Sequence, residues 1–402
     1  MAIWKKVKVG EIGKVITGKT PKTSNSEYYG GKIPFLTPSD NMSVKYVKET
    51  NKYLTELGRL SVRNATLPSN AVCVSCIGSD LGKVVVTTQE TVTNQQINSI
   101  IVDESKYNVD FIYYSMLELG KILNFHSKTS TAVPIVNKSS FSEYEILCPE
   151  LKIQKKIGDI LSSIDKKIEQ NEKINNNLYE LLQLSFENDY LEKCQLNSDW
   201  ETVTLDFATS RFGTGLNPRK NFVLGHGSNY YVTIKNMGNN RVYLDERCDK
   251  VDDEAIRKIQ NRSDLQVGDL LFSGIGTIGR VYLIDKPVSN WNTSESVFNL
   301  RPNYQIVSSE FLFLLLLNRD MQEYAVNLAS GSVQKGIRMA DLKRYKFILP
   351  SKDTMDALTQ LWKPIISKIK SNEDENDRLS ALRDTLLQKL MSGEIDVTDL
   401  DI

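Results

Sequence analysis

From Gln154 onward the apolar positions follow a heptad: Ile157, Leu161, Ile164 and Ile168, then Asn171 and Asn175, then Leu178 and Leu182. Such a seam predicts a long helix that pairs with a second one. At an offset of 201 residues the pattern returns as Leu358, Trp362, Ile365, Ile369, Asn372, Asn376, Leu379 and Arg383, with Leu386 and Leu390 beyond. Two asparagines interrupt both seams in the same register. A core amide costs stability but fixes alignment, because slippage leaves it without a partner. The expectation is an antiparallel coiled coil in which Asn171 and Asn175 meet Asn372 and Asn376.

The stretch before each helix has a different rhythm. Runs such as Asn70 to Ile77, Lys83 to Thr88 and Ile97 to Val102 are short, β-branched and separated by turn residues, which reads as strands. These stretches also repeat. Trp4 matches Trp200, Leu36-Thr37 falls on Val232-Thr233, and Ile77-Gly78 with Gly82-Lys83-Val84 falls on Ile275-Gly276 with Gly279-Arg280-Val281. Phe111-Ile112 matches Phe311-Leu312, and Tyr144 to Pro149 matches Tyr345 to Pro350. The offset drifts from 196 to 201, as small loop insertions would make it. A period this long is a duplicated domain-plus-helix unit and not a solenoid.

The predicted fold class is therefore α+β: two similar mixed, β-rich domains joined by two long helices forming an antiparallel coiled coil. The predicted boundaries are 1–150 for the first domain, 151–198 for the central helix, 199–350 for the second domain and 351–402 for the C-terminal helix. Helices of roughly 30 to 40 residues would be about 45 to 60 Å long. DNA advances about 34 Å per turn, so two such domains could meet one duplex about a turn or more apart, and a bipartite target with an unread spacer is the expectation.

Charge alters this picture only slightly. Lys plus Arg and Asp plus Glu balance at 50 each, but residues 1–150 carry 17 basic and 14 acidic residues and residues 351–402 carry 7 and 11. Slight positive charge thus sits on the domains and negative charge on the helices. The longest apolar run, Phe311 to Leu317, is far below the roughly 20 residues of a membrane span, and no signal-peptide core opens the chain, so the expected location is cytoplasmic. Five cysteines without a regular framework suit a reducing compartment. Cys73 and Cys76 have zinc-like spacing, but their counterparts are Leu271 and Gly274, so buried strand cysteines are expected and no metal.

Two motifs match enzymes by their letters. Gly13 to Thr20 fits a phosphate loop, and Ile100-Ile101-Val102-Asp103-Glu104 resembles an ATPase metal strand. A phosphate loop must feed a helix, yet Pro21 biases Thr20 away from helical geometry, and the counterpart Gly213 to Pro218 has no lysine. Gly274 to Gly279 fits a dinucleotide fingerprint but leads into β-type Arg280 to Ile284, so a turn between strands is expected. With only His126 and His226, histidine acid-base chemistry is poorly supplied, and no catalytic residue is assigned.

The chain resembles the specificity subunits of type I restriction-modification systems. The resemblance rests on Trp4 opening a domain, Gly18-Lys19-Thr20-Pro21 followed by Tyr28-Tyr29-Gly30-Gly31-Lys32-Ile33-Pro34, Gln95-Gln96-Ile97 after the glycine hairpin, and the ending Leu386 to Ile395. It covers essentially the whole chain. It implies that each domain is a target recognition domain reading one half of a bipartite target in double-stranded DNA. The helices would set the spacing and dock two methyltransferase subunits, with translocase and nuclease subunits in the larger complex. It also implies no cofactor in this chain, with S-adenosylmethionine, ATP and Mg in the partners. The second copy departs from the first, with Asn217-Pro218 for Thr20-Pro21 and Ser296-Val297-Phe298 for Gln96-Ile97-Asn98.

Phosphate contacts need Lys, Arg and small hydroxyl or amide side chains, and base reading needs Arg, Lys, Asn or Gln that reach an edge. Three loop sets qualify in each copy. The first copy offers Lys19, Thr20, Lys22 and Thr23, then Ser39 and Asn41, then Lys128, Thr129, Ser130 and Thr131. The second offers Thr214, Asn217, Arg219 and Lys220, then Lys235 and Asn236, then Ser332, Gln334 and Lys335. The alternative readings are a phosphate-loop ATP-binding protein and a tandem protein-interaction scaffold.

Overall fold

A computed structural model of the chain describes residues 3–78, 81–128, 135–238, 240–329 and 335–400, with 126–128 as backbone only. The chain divides into two compact units, Met1–Asn171 with Glu375–Ile402 and Glu172–Asp374.

In the first unit a five-stranded sheet runs in the order Gly13–Thr17, Ile97–Val102, Val72–Ser75, Val84–Thr87 and Tyr46–Val47. The inner strand Val72–Ser75 is buried along its whole length, which explains its unbroken small and apolar sequence. A second, four-stranded sheet carries Tyr53–Leu54, Tyr29–Leu36, Thr91–Thr93 and Thr66–Leu67. The second unit repeats the plan with Thr209–Thr214, Val297–Pro302, Leu270–Ser273 and Val281–Leu283 in one sheet. Its other sheet holds Asp249–Val251, Asn229–Val232 and Trp291–Thr293. Each unit also has a two-stranded ribbon, with Lys5 opposite Cys148 in one and Glu201 opposite Leu349 in the other.

The enzyme-like motifs lie in this β framework. Gly13–Thr17 is a strand paired with Ile97–Val102, and the chain from Gly18 to Asn25 is loop, so no helix opens at Thr20 as a phosphate loop requires. Gly274 to Gly279 is the turn between the antiparallel strands Leu270–Ser273 and Val281–Leu283. The helix Ser309–Leu317 is apolar on all sides and buried from Phe311 to Leu316, so it is a core helix. Among the described residues no helix is long and apolar enough to cross a membrane.

The long helices Leu151–Ser185 and Lys352–Met391 each contribute to both units. In the first unit, Ile157 and Leu161 share a core with Leu387 and Leu390, and Val397 completes it from the C-terminal end. Arg383 donates to Asp165 at 2.9 Å and Asn171 Nδ2 to Asn376 Oδ1 at 2.8 Å, so residue numbers run in opposite directions along the two segments. They are antiparallel. In the second unit Trp362 Nε1 donates to Ser185 at 2.8 Å and Asn372 Nδ2 to Asn175 Oδ1 at 2.7 Å, which is again antiparallel. Trp362 is fully buried between Phe186 and Phe311, at ring distances of 5.8 and 6.3 Å.

Candidate nucleic-acid interface

The turn at Thr37 is built by Asp40. Its Oδ2 accepts from the Thr37 amide at 2.7 Å and the Thr37 hydroxyl at 2.9 Å, while Oδ1 accepts from the Asn51 amide at 2.6 Å. Asp40 itself is buried. The corresponding turn is built the same way: Asn236 Oδ1 accepts from the Thr233 amide at 2.9 Å and the Thr233 hydroxyl at 3.1 Å. One residue earlier, Ser39 and Lys235 stand exposed at equivalent places. Asn236 is only 1% exposed, and its amide oxygen shapes the turn. Asn41 is exposed, but its Oδ1 is occupied by the amide and hydroxyl of Ser43.

The preceding loop leaves the sheet at a glycine in both copies. A Cβ on Gly18 would lie 2.1 Å from the Asn94 carbonyl oxygen, and one on Gly215 would lie 1.6 Å from that of Thr293. Beyond Gly18, the Lys19 amide donates to the Thr93 carbonyl at 2.8 Å and Thr20 Oγ1 to Gln95 Oε1 at 2.7 Å. The Tyr29 hydroxyl holds the Pro21 carbonyl at 2.8 Å, and in the second unit the Tyr231 hydroxyl holds that of Leu216 at the same distance. Lys19, Lys22 and Thr23 are exposed. On the second loop Arg219 and Lys220 are exposed, Thr214 and Asn217 are half-buried, and Asn217 accepts from Asn221.

The third set lies mostly outside the described residues: Thr129, Ser130, Thr131, Ser332 and Gln334. Lys128 is described as backbone, at the end of the helix Val109–Lys128, and Lys335 is exposed. The edges of this loop are anchored alike in both units. The Val136 amide donates to the Cys76 carbonyl and the Ile337 amide to the Gly274 carbonyl, each at 2.9 Å. In the first unit Asn98 ties this edge to the first loop, accepting from Thr17 Oγ1 at 2.6 Å and donating to the Val136 carbonyl at 3.0 Å. Phe298 stands in its place in the second unit, where a Cβ on Gly274 would come within 2.5 Å of the ring.

The first unit thus brings Thr20 and Thr23 to a cleft of about 630 Å³ whose other wall is Asn51, Lys52 and Tyr53. Asn51 Nδ2 also donates to the Ser39 carbonyl at 3.2 Å, linking the cleft to the second loop. Asn51 to Tyr53 escaped the sequence reading because they reach the cleft only through the pairing of Tyr53–Leu54 with Tyr29–Leu36. Around these loops Lys19, Lys22, Lys52, Arg219, Lys220 and Lys235 form no ion pair among the described residues, unlike Lys8, which meets Glu143 at 2.6 Å. Uncompensated cations on exposed loops suit a polyanion.

Beneath the second loop a lysine is buried. Lys45, with its side chain 6% exposed, meets Asp110 at 2.8 Å and donates to Ser162 Oγ at 2.7 Å. Burial lowers its pKa, and Asp110 opposes that shift. Burial also pushes the Cys73 and Cys76 thiols up, to about 12 and about 11, so neither is poised as a thiolate. Among the described residues no group of three or more His, Cys, Asp and Glu is placed to hold a metal ion.

The comparisons agree with this duplicated architecture. Residues 1–180 and 197–380 each match the type I restriction modification DNA specificity domain. The type I restriction enzyme HindI specificity subunit of Haemophilus influenzae is 34% identical over 163 residues, a match spanning 39% of this chain and 35% of that one. The MjaIX specificity subunit of Methanocaldococcus jannaschii is 24% identical over 426 residues, covering 99% of this chain and 94% of the relative. Among solved structures, the S subunit of a type I restriction-modification system from M. genitalium shares the fold, with a TM-score of 0.56 at 17% identity over 97% of this chain and 96% of that one. With matches that take in most of both halves, the chain belongs to the family of type I restriction-modification DNA specificity domains, which it carries twice.

Proposed function

We propose that this chain supplies the DNA address of a type I restriction-modification complex and leaves catalysis to its partners. The observation that carries the reading is the pair of turns at Thr37 and Thr233: the same side-chain-to-backbone bonds build both, while the exposed residue changes from Ser39 to Lys235. A shared frame with different exposed chemistry is what two readers of different base sequences need.

Each unit reads one half of a bipartite duplex target, and the paired helices set the gap. The layout is a recognition domain over 1–150, a spacer helix over 151–198, a second recognition domain over 199–350 and a second spacer helix over 351–402. The phosphate-facing groups are Lys19, Lys22, Thr23, Arg219, Lys220 and Lys335, while Ser39 and Lys235 face the bases, all of them exposed. Asn236 shapes its turn from beneath. Two methyltransferase subunits dock on the helices and bring S-adenosylmethionine, while translocase and nuclease subunits bring ATP and Mg. The complex works in the cytoplasm.

The test is a salt series on the complex assembled with its methyltransferase subunits. A cognate duplex binds about a thousandfold or more tighter than a random one. Equal affinity for both at every salt concentration contradicts the reading.

A further inference from the structure

Four residues beyond Asn41, the chain drives Lys45 into the body of the first unit. The ammonium lies 4.7 Å from the Tyr114 ring centre, 5.1 Å from Tyr113 and 5.2 Å from Tyr46, besides meeting Asp110 and Ser162. Ser162 belongs to the long helix Leu151–Ser185. An exposed loop is thus pinned to a helix by a desolvated charge whose partners are all fixed, and such a group does not drift cheaply.

The second unit makes the same tie from the other side. Here the lysine sits on the helix: Lys370, 8% exposed, donates to the Asn240 carbonyl at 3.3 Å, meets Glu373 at 3.3 Å and lies 4.3 Å from the Tyr282 ring centre. Asn240, in left-handed backbone at φ 57°, belongs to the hairpin that follows the Thr233 turn and closes through the bridge between Met237 and Val242. Both units therefore fasten the segment after the exposed turn to a long helix with a buried ammonium, and the donor's origin is reversed. Similar ends reached from opposite elements argue for a constraint on the turn beyond ordinary core packing.

We infer that Lys45 and Lys370 are positioning residues for DNA specificity, each holding the reading turn of its own unit at the height and angle at which its exposed side chains meet the bases. The inference rests on the proposed bipartite reading. Neither lysine touches DNA. Each acts through its turn, Lys45 through Ser39 and Asn41 and Lys370 through Lys235. A lost anchor frees the turn to accept neighbouring base pairs, which shows as relaxed preference in one half of the target.

The experiment maps methylated sites genome-wide for the full complex containing the wild-type chain, Lys45→Met or Lys370→Met. Loss of general stability lowers methylation at all sites and leaves the motif unchanged, because every site needs both halves. Lost positioning alters the motif. With Lys45→Met, discrimination at one or more first-half positions falls by about tenfold, the scale of a single base-pair mismatch, and the second half is unchanged; Lys370→Met does the converse. Should Lys45→Met leave too little complex to map, Ser162→Ala removes one bond of the same anchor and is read in the same way. Unaltered motifs, or both halves relaxing together, overturn the anchors. A wild-type map without two separated halves overturns the proposed function and this inference with it.

Discussion

Asn171 and Asn376 face one another within the first unit, with Asn171 Nδ2 donating to Asn376 Oδ1 at 2.8 Å and the two residues 1% and 6% exposed. Asn376 Nδ2 points at the Ile168 carbonyl at 3.5 Å. Asn171→Leu strands a buried acceptor, which costs about 1–3 kcal/mol. Asn171→Leu with Asn376→Leu recovers most of that loss, because two facing apolar groups need no partner. Urea unfolding of the two single variants and the double variant measures the coupling. Losses that simply add would show that the amides do not act as a pair.

Gly18 and Gly215 mark the points where the first loops leave their sheets, and the obstacle at both is backbone. A methyl on either glycine meets a carbonyl oxygen at 2.1 Å or 1.6 Å, respectively. Gly18→Ala and Gly215→Ala therefore each destabilise by about 1–3 kcal/mol through overpacking. Thermal unfolding checks this, with Gly30→Ala as a spatial control, since its added Cβ would meet nothing within 4 Å although its φ of +84° strains any side chain. A larger loss at Gly30 than at Gly18 would contradict the packing argument.

In the second unit Arg301 binds Asp269 through two bonds, at 2.8 and 2.9 Å, and Asp269 is 1% exposed. Arg301→Met leaves that carboxylate buried and unpaired, and costs about 3–5 kcal/mol. Arg301 also holds the Asp264 carboxyl below its usual 3.8. A depressed acid pKa contributes stability above the unfolded value and loses it as pH falls through the folded value. Acid titration of the wild type therefore shows a loss of stability below about pH 4, and Arg301→Met lacks the part of it that comes from Asp264. Parallel acid profiles for the two proteins would contradict this role.

Lys19 and Lys22 are exposed and unpaired among the described residues, as phosphate contacts would be. Replacing either with alanine in the assembled complex reduces the slope of log affinity against log salt by about one, across all sequences alike. The methylation motif stays the same. With 50 basic and 50 acidic residues in balance, the isolated chain is expected to bind duplex DNA weakly and the assembled complex more tightly. Gel-shift titrations with and without the methyltransferase subunits check both statements, and tight salt-sensitive binding by the chain alone would contradict the second.

Periodicity made the long helices legible, because a heptad is written in residue types and needs no knowledge of the rest of the fold. Three strands were legible in their alternating and β-branched residues: Ile97–Val102 has the expected bounds, while Val72–Ser75 and Val84–Thr87 are shorter than the expected runs Asn70 to Ile77 and Lys83 to Thr88. Side-chain roles were harder. Asn236 has the chemistry of a base reader, yet it is a turn cap; its counterpart Asp40, an acid ill suited to face phosphates, was the available sign. Lys45, set among Ser43, Val44 and Tyr46, reads as a surface lysine, and its burial depends on Asp110 and Ser162 far along the chain. The cleft wall of Asn51 to Tyr53 depends likewise on strand pairing, which no local pattern records.

The central claim is that two separate readers share one chain, and exchange of a single reader tests it most directly. Residues 1–150 are replaced by the corresponding segment of a relative with a different target, the chimera is assembled with its methyltransferase subunits, and methylated sites are mapped. The account predicts a new first half beside an unchanged second half and an unchanged gap. A target that changes in both halves, or in neither, would contradict it.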